Sequence, residues 1–243
     1  MNYSTHVAQC KLPTIRSLVC LFSIILAITA ASSLKAEEYL CDKEYPVRIV
    51  AQHDVHNSLI CRAAVQAIDF LSMYELTPKR QIVIEIIEES IDHRGYMAFG
   101  SYDTRSDRIN LMSMDSIRKT VGEPMIYDEL LDDELFASAV AHEVAHAVVQ
   151  HNITENAPSP CPQEYIAHTT QLAVLSDERR KQIIDRVAVT AWLPGDAISD
   201  IYMALEPTKF AVKSYLHLTS LENPLPFIKI LLNAKWFYVY VPG

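Results

Sequence analysis

The chain has 243 residues, of which 50% are hydrophobic and only five are glycine. This composition supports one domain with a sizeable core and excludes a disordered or low-complexity protein. The formal net charge of −9 argues against nucleic acid and anionic membrane surfaces as partners.

Residues 1–36 have the layout of a secretory signal peptide. Lys11 and Arg16 supply positive charge, the segment contains no acidic residue, and a largely apolar run extends from Leu18 to Ala31. A short stretch ending in Ala36 then provides a cleavage site. The alternative is an uncleaved membrane anchor, for which so short an apolar run is marginal. We predict cleavage and therefore a periplasmic or secreted location.

The remaining chain, residues 37–243, is predicted to form a single domain. Loss of the signal leaves 18 basic and 30 acidic residues, a net charge of −12. This charge further disfavours nucleic acid as a partner, and we expect no membrane association after cleavage.

Three cysteines remain after signal removal. In an oxidising compartment, Cys41 and Cys61 are the most natural disulfide pair because they close a short N-terminal loop. Cys161 is then the unpaired cysteine. The alternative is three separate buried thiols.

The first half of the mature chain predicts strands and one long helix. Pro46–Ala51 is β-branched and predicts a strand. Val55–Leu76 has an apolar stripe at helical spacing and is followed by a Thr-Pro stop. Gln81–Glu89 alternates isoleucine with polar residues, which is typical of a half-buried strand.

The next segment predicts a hairpin and a short helix. Tyr96–Tyr102 and Arg108–Met112 are the two predicted hairpin strands, joined around residues 103–107. Asp115–Thr120 is predicted to be a short helix, and residues 122–128 a loop.

Helices dominate the second half of the chain. One is predicted over Asp132–His151, where acidic residues suit a helix start, and another over Pro162–Ser176. Two or three more are expected between residues 177 and 235, with a closing strand at Trp236–Val241. Strands followed by helices indicate an α+β fold, with a small N-terminal mixed sheet and a helix before a helix pair and further C-terminal helices.

The first helix of this pair carries the pattern His-Glu-x-x-His. His142 and His146 are four residues apart, so both imidazoles lie on one helix face, where a single Zn²⁺ can take a nitrogen from each. Glu143 can take a proton from the water that zinc activates. The surrounding residues are small and apolar, and polar groups on a buried helix require a reason. The alternative is that these histidines are ordinary core or surface groups.

A zinc site requires a third protein ligand. A histidine six residues after the second one is excluded, because Asn152 is there. Glu164, near the start of the next helix, is the preferred candidate, since a short loop can bring that helix back along the first. His168 is either a partner of a ligand or itself the third ligand. Glu155 and His151 are weaker candidates.

At these residues the chain resembles the zincin metallopeptidases, specifically the gluzincin group, over roughly Asp132–Ser176. The resemblance implies that His142, His146 and Glu164 hold zinc. It implies that Glu143 is the general base.

The resemblance also implies a strand-rich region before the helix pair, whose edge strand pairs with an extended peptide substrate. Tyr96–Tyr102 or Arg108–Met112 would be that edge. The chain departs from many gluzincins at His168, where they have an aspartate. The role of His168 is therefore open.

The expected function is a zinc-dependent hydrolase, a small exported metallopeptidase acting on a peptide or protein substrate. Tyr202, Tyr215 and His217 are candidates for stabilising the oxyanion. The alternatives are a catalytically inactive zincin-like binding module and a zinc hydrolase of non-peptide bonds.

Overall fold

In a computed structural model of the protein, strands and helices follow one another along the chain in the order predicted from the sequence. The residues that it describes are 36–41, 44–52, 56–93, 96–154, 158–233 and 238–240. The predicted signal peptide therefore lies outside the described residues, except for Ala36. Within the described residues, no helix has both the length and the apolar character needed to cross a bilayer.

The described residues form eleven strands and eight helices. The strands are β1 (Glu37–Leu40), β2 (Val47–Ala51), β3 (Ile82–Ile87), β4 (Ile91–His93), β5 (Tyr96–Ala98), β6 (Gly100–Asp103), β7 (Arg108–Met112), β8 (Met125–Ile126), β9 (Glu129–Leu130), β10 (Ala197–Ser199) and β11 (Tyr238–Tyr240). The helices are α1 (Asn57–Ser72), α2 (Met114–Val121), α3 (Asp133–Asn152), α4 (Pro160–Ala173), α5 (Asp177–Val187), α6 (Asp200–Leu205), α7 (Pro207–Ser220) and α8 (Leu225–Asn233). This content confirms the α+β class.

The largest sheet has five strands in the order β1-β2-β3-β7-β6. Strands β2, β3 and β7 are parallel, whereas β1 and β6 pair antiparallel with their neighbours, so the sheet is mixed as predicted. The period-2 pattern buries one face of β2 at Val47, Ile49 and Ala51. Strand β6 is an edge of this sheet, which decides between the two predicted edge strands.

Helices cover one face of the sheet. Helix α3 packs on β6 and β7, α1 packs on β2, and the two helices pack against each other. Along α3, Val140, Ala141, Val144 and Ala145 are fully buried. Helix α4 packs against both α3 and α7, so the helix pair lies between the sheet and the C-terminal helices.

Several predicted boundaries were wrong. Helix α1 ends at Ser72, before the predicted Leu76, because Glu75 takes a left-handed φ of 61° that no helix continues through. Helix α4 begins at Pro160 and ends at Ala173.

The predicted strand Tyr96–Tyr102 is two strands. Its first part, β5, pairs with β4, and only β6 joins β7 in the large sheet. The predicted loop over residues 122–128 contains the short strand β8. The described part of the chain from Asp177 to Asn233 contains four helices, where two or three were predicted. The closing strand is β11, which pairs with β10; Trp236 and Val241 lie outside the described residues.

The disulfide between Cys41 and Cys61 is present, with 5.4 Å between the two Cα atoms. It links the residue after β1 to helix α1. Cys161 is a buried free thiol. The predicted pairing is therefore confirmed.

Candidate metal centre

Helix α3 starts where the sequence predicts it to start. The Asp132 carboxylate accepts a hydrogen bond from the Leu135 amide at 2.9 Å and caps the helix, and Asp133 and Glu134 occupy the first turn. The helix then continues unbroken to Asn152. It therefore presents the two histidines of the motif one turn apart.

Helix α4 runs antiparallel to α3. Going forward along α4 and its C-terminal end, Glu164 contacts His146, Gln171 contacts Ser138, and the Ser176 amide donates to the Glu134 carboxylate at 2.7 Å. Each later residue thus meets an earlier residue of α3. A proline in the first turn suits the start of α4, and its second turn brings Glu164 to the histidines.

Three side chains converge at the predicted metal position. His142 Nε2 lies 3.1 Å from His146 Nε2. Glu164 Oε2 lies 3.3 Å from His142 Nε2, and Glu164 Oε1 lies 3.5 Å from His146 Nε2. Two ligands about 2.0 to 2.1 Å from a tetrahedral zinc are roughly 3.3 Å apart. The spacing and the two-nitrogen, one-oxygen donor set therefore fit a zinc ion.

The charges of the cluster are strongly coupled. Burial by itself would lower the pKa of His146, but the Glu164 carboxylate, together with Glu143, raises that pKa to about 9. In return, burial of Glu164 is outweighed by His146 and His142, which hold its pKa well below the usual range. Because a metal binds only a deprotonated imidazole, metal binding at this cluster would compete with a proton.

His168 stands beside this cluster rather than in it. Its ring centroid is 4.7 Å from that of His142, and its Nε2 is 3.7 Å from Glu164 Oε2. Burial, with His142 nearby, lowers the pKa of His168 to about 3, so the ring is neutral. Among the described residues, the group whose ligand atoms all lie within 4.8 Å of one another is His142, His146 and Glu164. The role of His168 as third ligand is therefore not supported.

Of the other two candidate ligands, His151 lies away from the cluster. His151 is buried at the end of α3, where its Nε2 is 3.1 Å from Asp107 Oδ1. Glu155 lies outside the described residues.

The three candidates for stabilising the oxyanion do not line the cleft at the metal position. Tyr202 packs edge-on against Trp192. Tyr215 lies under the Arg180 guanidinium, 5.5 Å away. His217 Nδ1 bonds the Tyr165 hydroxyl at 2.7 Å. Each of these side chains is occupied in core packing instead.

The metal position opens on a cleft of about 640 Å³. One wall is the helix pair, and the other is edge strand β6 with the turn that follows it. The lining residues are Ala98, Gly100, Ser101, Tyr102, Asp103, Thr104, Arg105, Asn110, His142, Glu143, His146, Gln163 and Glu164. Each of the three clustered side chains is partly accessible, at 14% for each histidine and 27% for Glu164.

Sequence reasoning missed two residues that lie against side chains of the site. Gln171 Oε1 lies 3.1 Å from His142 Nδ1. Its position, seven residues after Glu164, puts both on one face of α4, and this spacing could have suggested it. Gly100 lies so close to Glu143 that an added Cβ would be 2.6 Å from Cγ of that side chain. No local pattern predicts this long-range approach.

The family model of DUF6639, described as a family of unknown function, matches residues 47–240, and the chain belongs to this family. The matched range includes strands β2, β3, β6 and β7 of the large sheet, the helix pair and the cluster of His142, His146 and Glu164. No curated protein and no solved structure matches the chain.

Proposed function

We propose that this DUF6639 member is a zinc-dependent hydrolase, an exported metallopeptidase of the gluzincin type. His142, His146 and Glu164 would hold the zinc, and Glu143 would be the general base. One observation carries the proposal: the three ligands converge at tetrahedral spacing beside Glu143, on a cleft whose opposite wall is a sheet edge.

The ligand count supports a catalytic rather than a structural site. Structural zinc sites are closed by four protein ligands, whereas catalytic sites keep a position open. Among the residues that the structure describes, three side chains form the group, and all three line the cleft. The open position therefore faces the space that a substrate would occupy.

A zinc ion held by these ligands would supply Lewis-acid activation of water and of the scissile carbonyl. Glu143 follows His142 on α3 and lines the same cleft. Its carboxylate would take the proton from the attacking water and deliver it to the leaving amine, which is general base and then general acid catalysis. Both proton transfers would thus use the same carboxylate, that of Glu143.

The edge strand favours an extended peptide as the substrate. Strand β6 pairs on one side with β7 and is an edge of the sheet, and its residues line the cleft. Backbone N–H and C=O groups of an edge strand can pair with an extended chain. Pairing with β6 would bring successive peptide bonds past Glu143.

The proposed location is outside the cytoplasm. The Cys41–Cys61 disulfide is typical of proteins in oxidising compartments. It agrees with the export signal expected over residues 1–36. The acidic mature chain fits a peptide or protein substrate rather than nucleic acid.

The test is hydrolysis of a mixed peptide library by the zinc-loaded protein, with cleavage sites read by mass spectrometry. We expect the wild type to cleave peptides, and Glu143→Gln to retain zinc while losing at least ~100-fold in kcat. Glu178→Gln is the matched control, because Glu178 is an exposed residue of α5.

Two outcomes would overturn the peptidase proposal. A zinc-loaded wild type that cleaves no peptide and no ester would be a binding module. A wild type that cleaves esters but no peptides would be a hydrolase of other bonds.

A further inference from the structure

We propose that Gln171 is the positioning residue that fixes the tautomer and ring orientation of His142 for metal binding. This inference rests on the proposed zinc site and names the residue on which its affinity depends. It follows from the hydrogen bonds of the side-chain amide of Gln171, a residue that is 6% exposed.

The Gln171 amide contacts three side chains. Its Oε1 lies 3.1 Å from His142 Nδ1 and 3.3 Å from His168 Nδ1. Its Nε2 lies 3.5 Å from Ser138 Oγ. Both ends of the amide are therefore engaged, one toward the histidines and one toward α3.

Ser138 determines which way the amide points. The Ser138 hydroxyl donates its only hydrogen to the Leu135 carbonyl at 2.7 Å, so toward Gln171 it can only accept. The group facing Ser138 must then be the amide NH₂, and the amide oxygen must face the histidines. The hydrogen-bond partners therefore assign the positions of the amide oxygen and nitrogen of Gln171.

The oriented oxygen fixes the tautomer of His142. A carbonyl oxygen can only accept, so His142 Nδ1 must carry the hydrogen. Nε2 then keeps its lone pair, and Nε2 is the atom that lies 3.3 Å from Glu164 and 3.1 Å from His146. A neutral imidazole with a free Nε2 is the form that binds a metal.

His168 shares the same oxygen. A carbonyl oxygen has two lone pairs, so it can accept from both Nδ1 atoms at once. His168 also packs edge-on against Phe210, which holds its ring in this position. A single amide oxygen thus contacts both neighbouring imidazole rings.

The experiment compares the zinc dissociation constants of Gln171 variants, measured by competition with a chelator. Gln171→Met keeps the length and burial of the side chain but removes the acceptor, and we expect zinc binding to weaken about 10- to 100-fold. Gln171→Glu keeps an acceptor oxygen, and we expect affinity within a few-fold of the wild type, or tighter.

Two further variants guard against a simple folding defect. Gln182→Met makes the same exchange at an exposed residue of α5, and we expect no change. Ser138→Ala removes the hydroxyl that orients the Gln171 amide, and the introduced alanine favours the helix. We expect this variant to weaken zinc binding less than Gln171→Met does. Thermal unfolding of each metal-free variant shows whether the fold is retained.

Wild-type affinity in Gln171→Met would overturn the inference. Equal weakening in Gln171→Met and Gln171→Glu would also overturn it, because packing and not the acceptor would then be responsible. A folded wild type that binds no zinc would instead overturn the proposed function, so the two failures are distinguishable.

Discussion

Gly100 on edge strand β6 lies directly against Glu143 on helix α3. A Cβ added at Gly100 would come within 2.6 Å of Cγ, 3.1 Å of Cδ and 3.2 Å of Oε1 of that side chain. The glycine therefore leaves the space in which the proposed general base stands. The position of the Glu143 side chain therefore depends on the absence of a Cβ atom at Gly100 in the cleft wall.

Replacement of Gly100 by alanine should displace Glu143 while leaving the proposed metal ligands in place. A misplaced catalytic group costs on the order of 100-fold in rate, and overpacking costs about 1 to 3 kcal/mol in stability. We expect Gly100→Ala to lower kcat by ~100-fold with unchanged zinc stoichiometry. Steady-state kinetics and metal analysis measure the two effects separately.

The control is the same change in a Glu143→Ala background. Without the Glu143 side chain beyond Cβ, the added methyl group has no partner to clash with. We expect Gly100→Ala to cost much less stability there than in the wild type, which is a coupling measurable by a double-mutant cycle. Equal costs in both backgrounds would show that Glu143 is not the group displaced.

Asp107 links strand β6 at the cleft wall to the C-terminal end of helix α3. Its Oδ1 accepts hydrogen bonds from the Tyr102 hydroxyl at 2.6 Å and from His151 Nε2 at 3.1 Å, and Arg80 pairs with its other oxygen. Tyr102 is on β6, and His151 is in the last turn of α3. Burial opposes ionisation of Asp107, but these partners lower its pKa to about 2.

The depressed pKa predicts a pH-dependent contribution to stability. A carboxyl group with a lowered native pKa stabilises the fold above its unfolded value and loses that contribution as the pH falls through the native value. We expect the free energy of unfolding of the wild type to exceed that of Asp107→Asn by ~2 kcal/mol at neutral pH. That difference should shrink as the pH falls from about 4 toward about 2.

Urea unfolding of both proteins across this pH range is the measurement. Asparagine also tolerates the left-handed φ of 55° at this position, so backbone strain does not confound the comparison. A difference that stays constant with pH would contradict the assigned role of the charge.

The Cys41–Cys61 disulfide should stabilise the fold without affecting the metal. It closes a loop with a sequence separation of 20, for which loop entropy predicts ~3 kcal/mol. We expect a variant with serine at both positions to lose about this much in free energy of unfolding. Zinc stoichiometry should be unchanged, because neither cysteine lines the cleft; a loss of zinc would contradict this separation.

Sequence periodicity predicted the elements that carry the site because their signals are local. The cap of helix α3 and the spacing of its histidines are properties of consecutive residues. A short loop brings the next helix back along α3, which places a glutamate near its start close to those histidines. Helix ends were harder to predict. The end of α1 at Ser72 depends on the left-handed backbone of Glu75, whereas the prediction rested on the Thr-Pro pair that follows it. Pro160 and Pro162 both suit a first helical turn.

Contacts between distant segments were beyond such reasoning. The approach of Gly100 to Glu143 depends on how β6 packs on α3, and no local pattern encodes that packing. The division of the Tyr96–Tyr102 segment into β5 and β6 likewise depends on which strand each part finds as a partner. Tertiary packing thus determined the details that bear most on the proposed site.

The most direct test of the central claim is zinc stoichiometry of the purified protein, expressed from the full-length chain, beside Glu164→Ala and the exposed control Glu178→Ala. We predict one zinc per wild-type chain, retained in the control and lost or weakened at least ~100-fold in Glu164→Ala. A correctly folded wild type that takes up no zinc, even after reloading, would contradict the metal site. Full zinc retention by Glu164→Ala would contradict the ligand assignment.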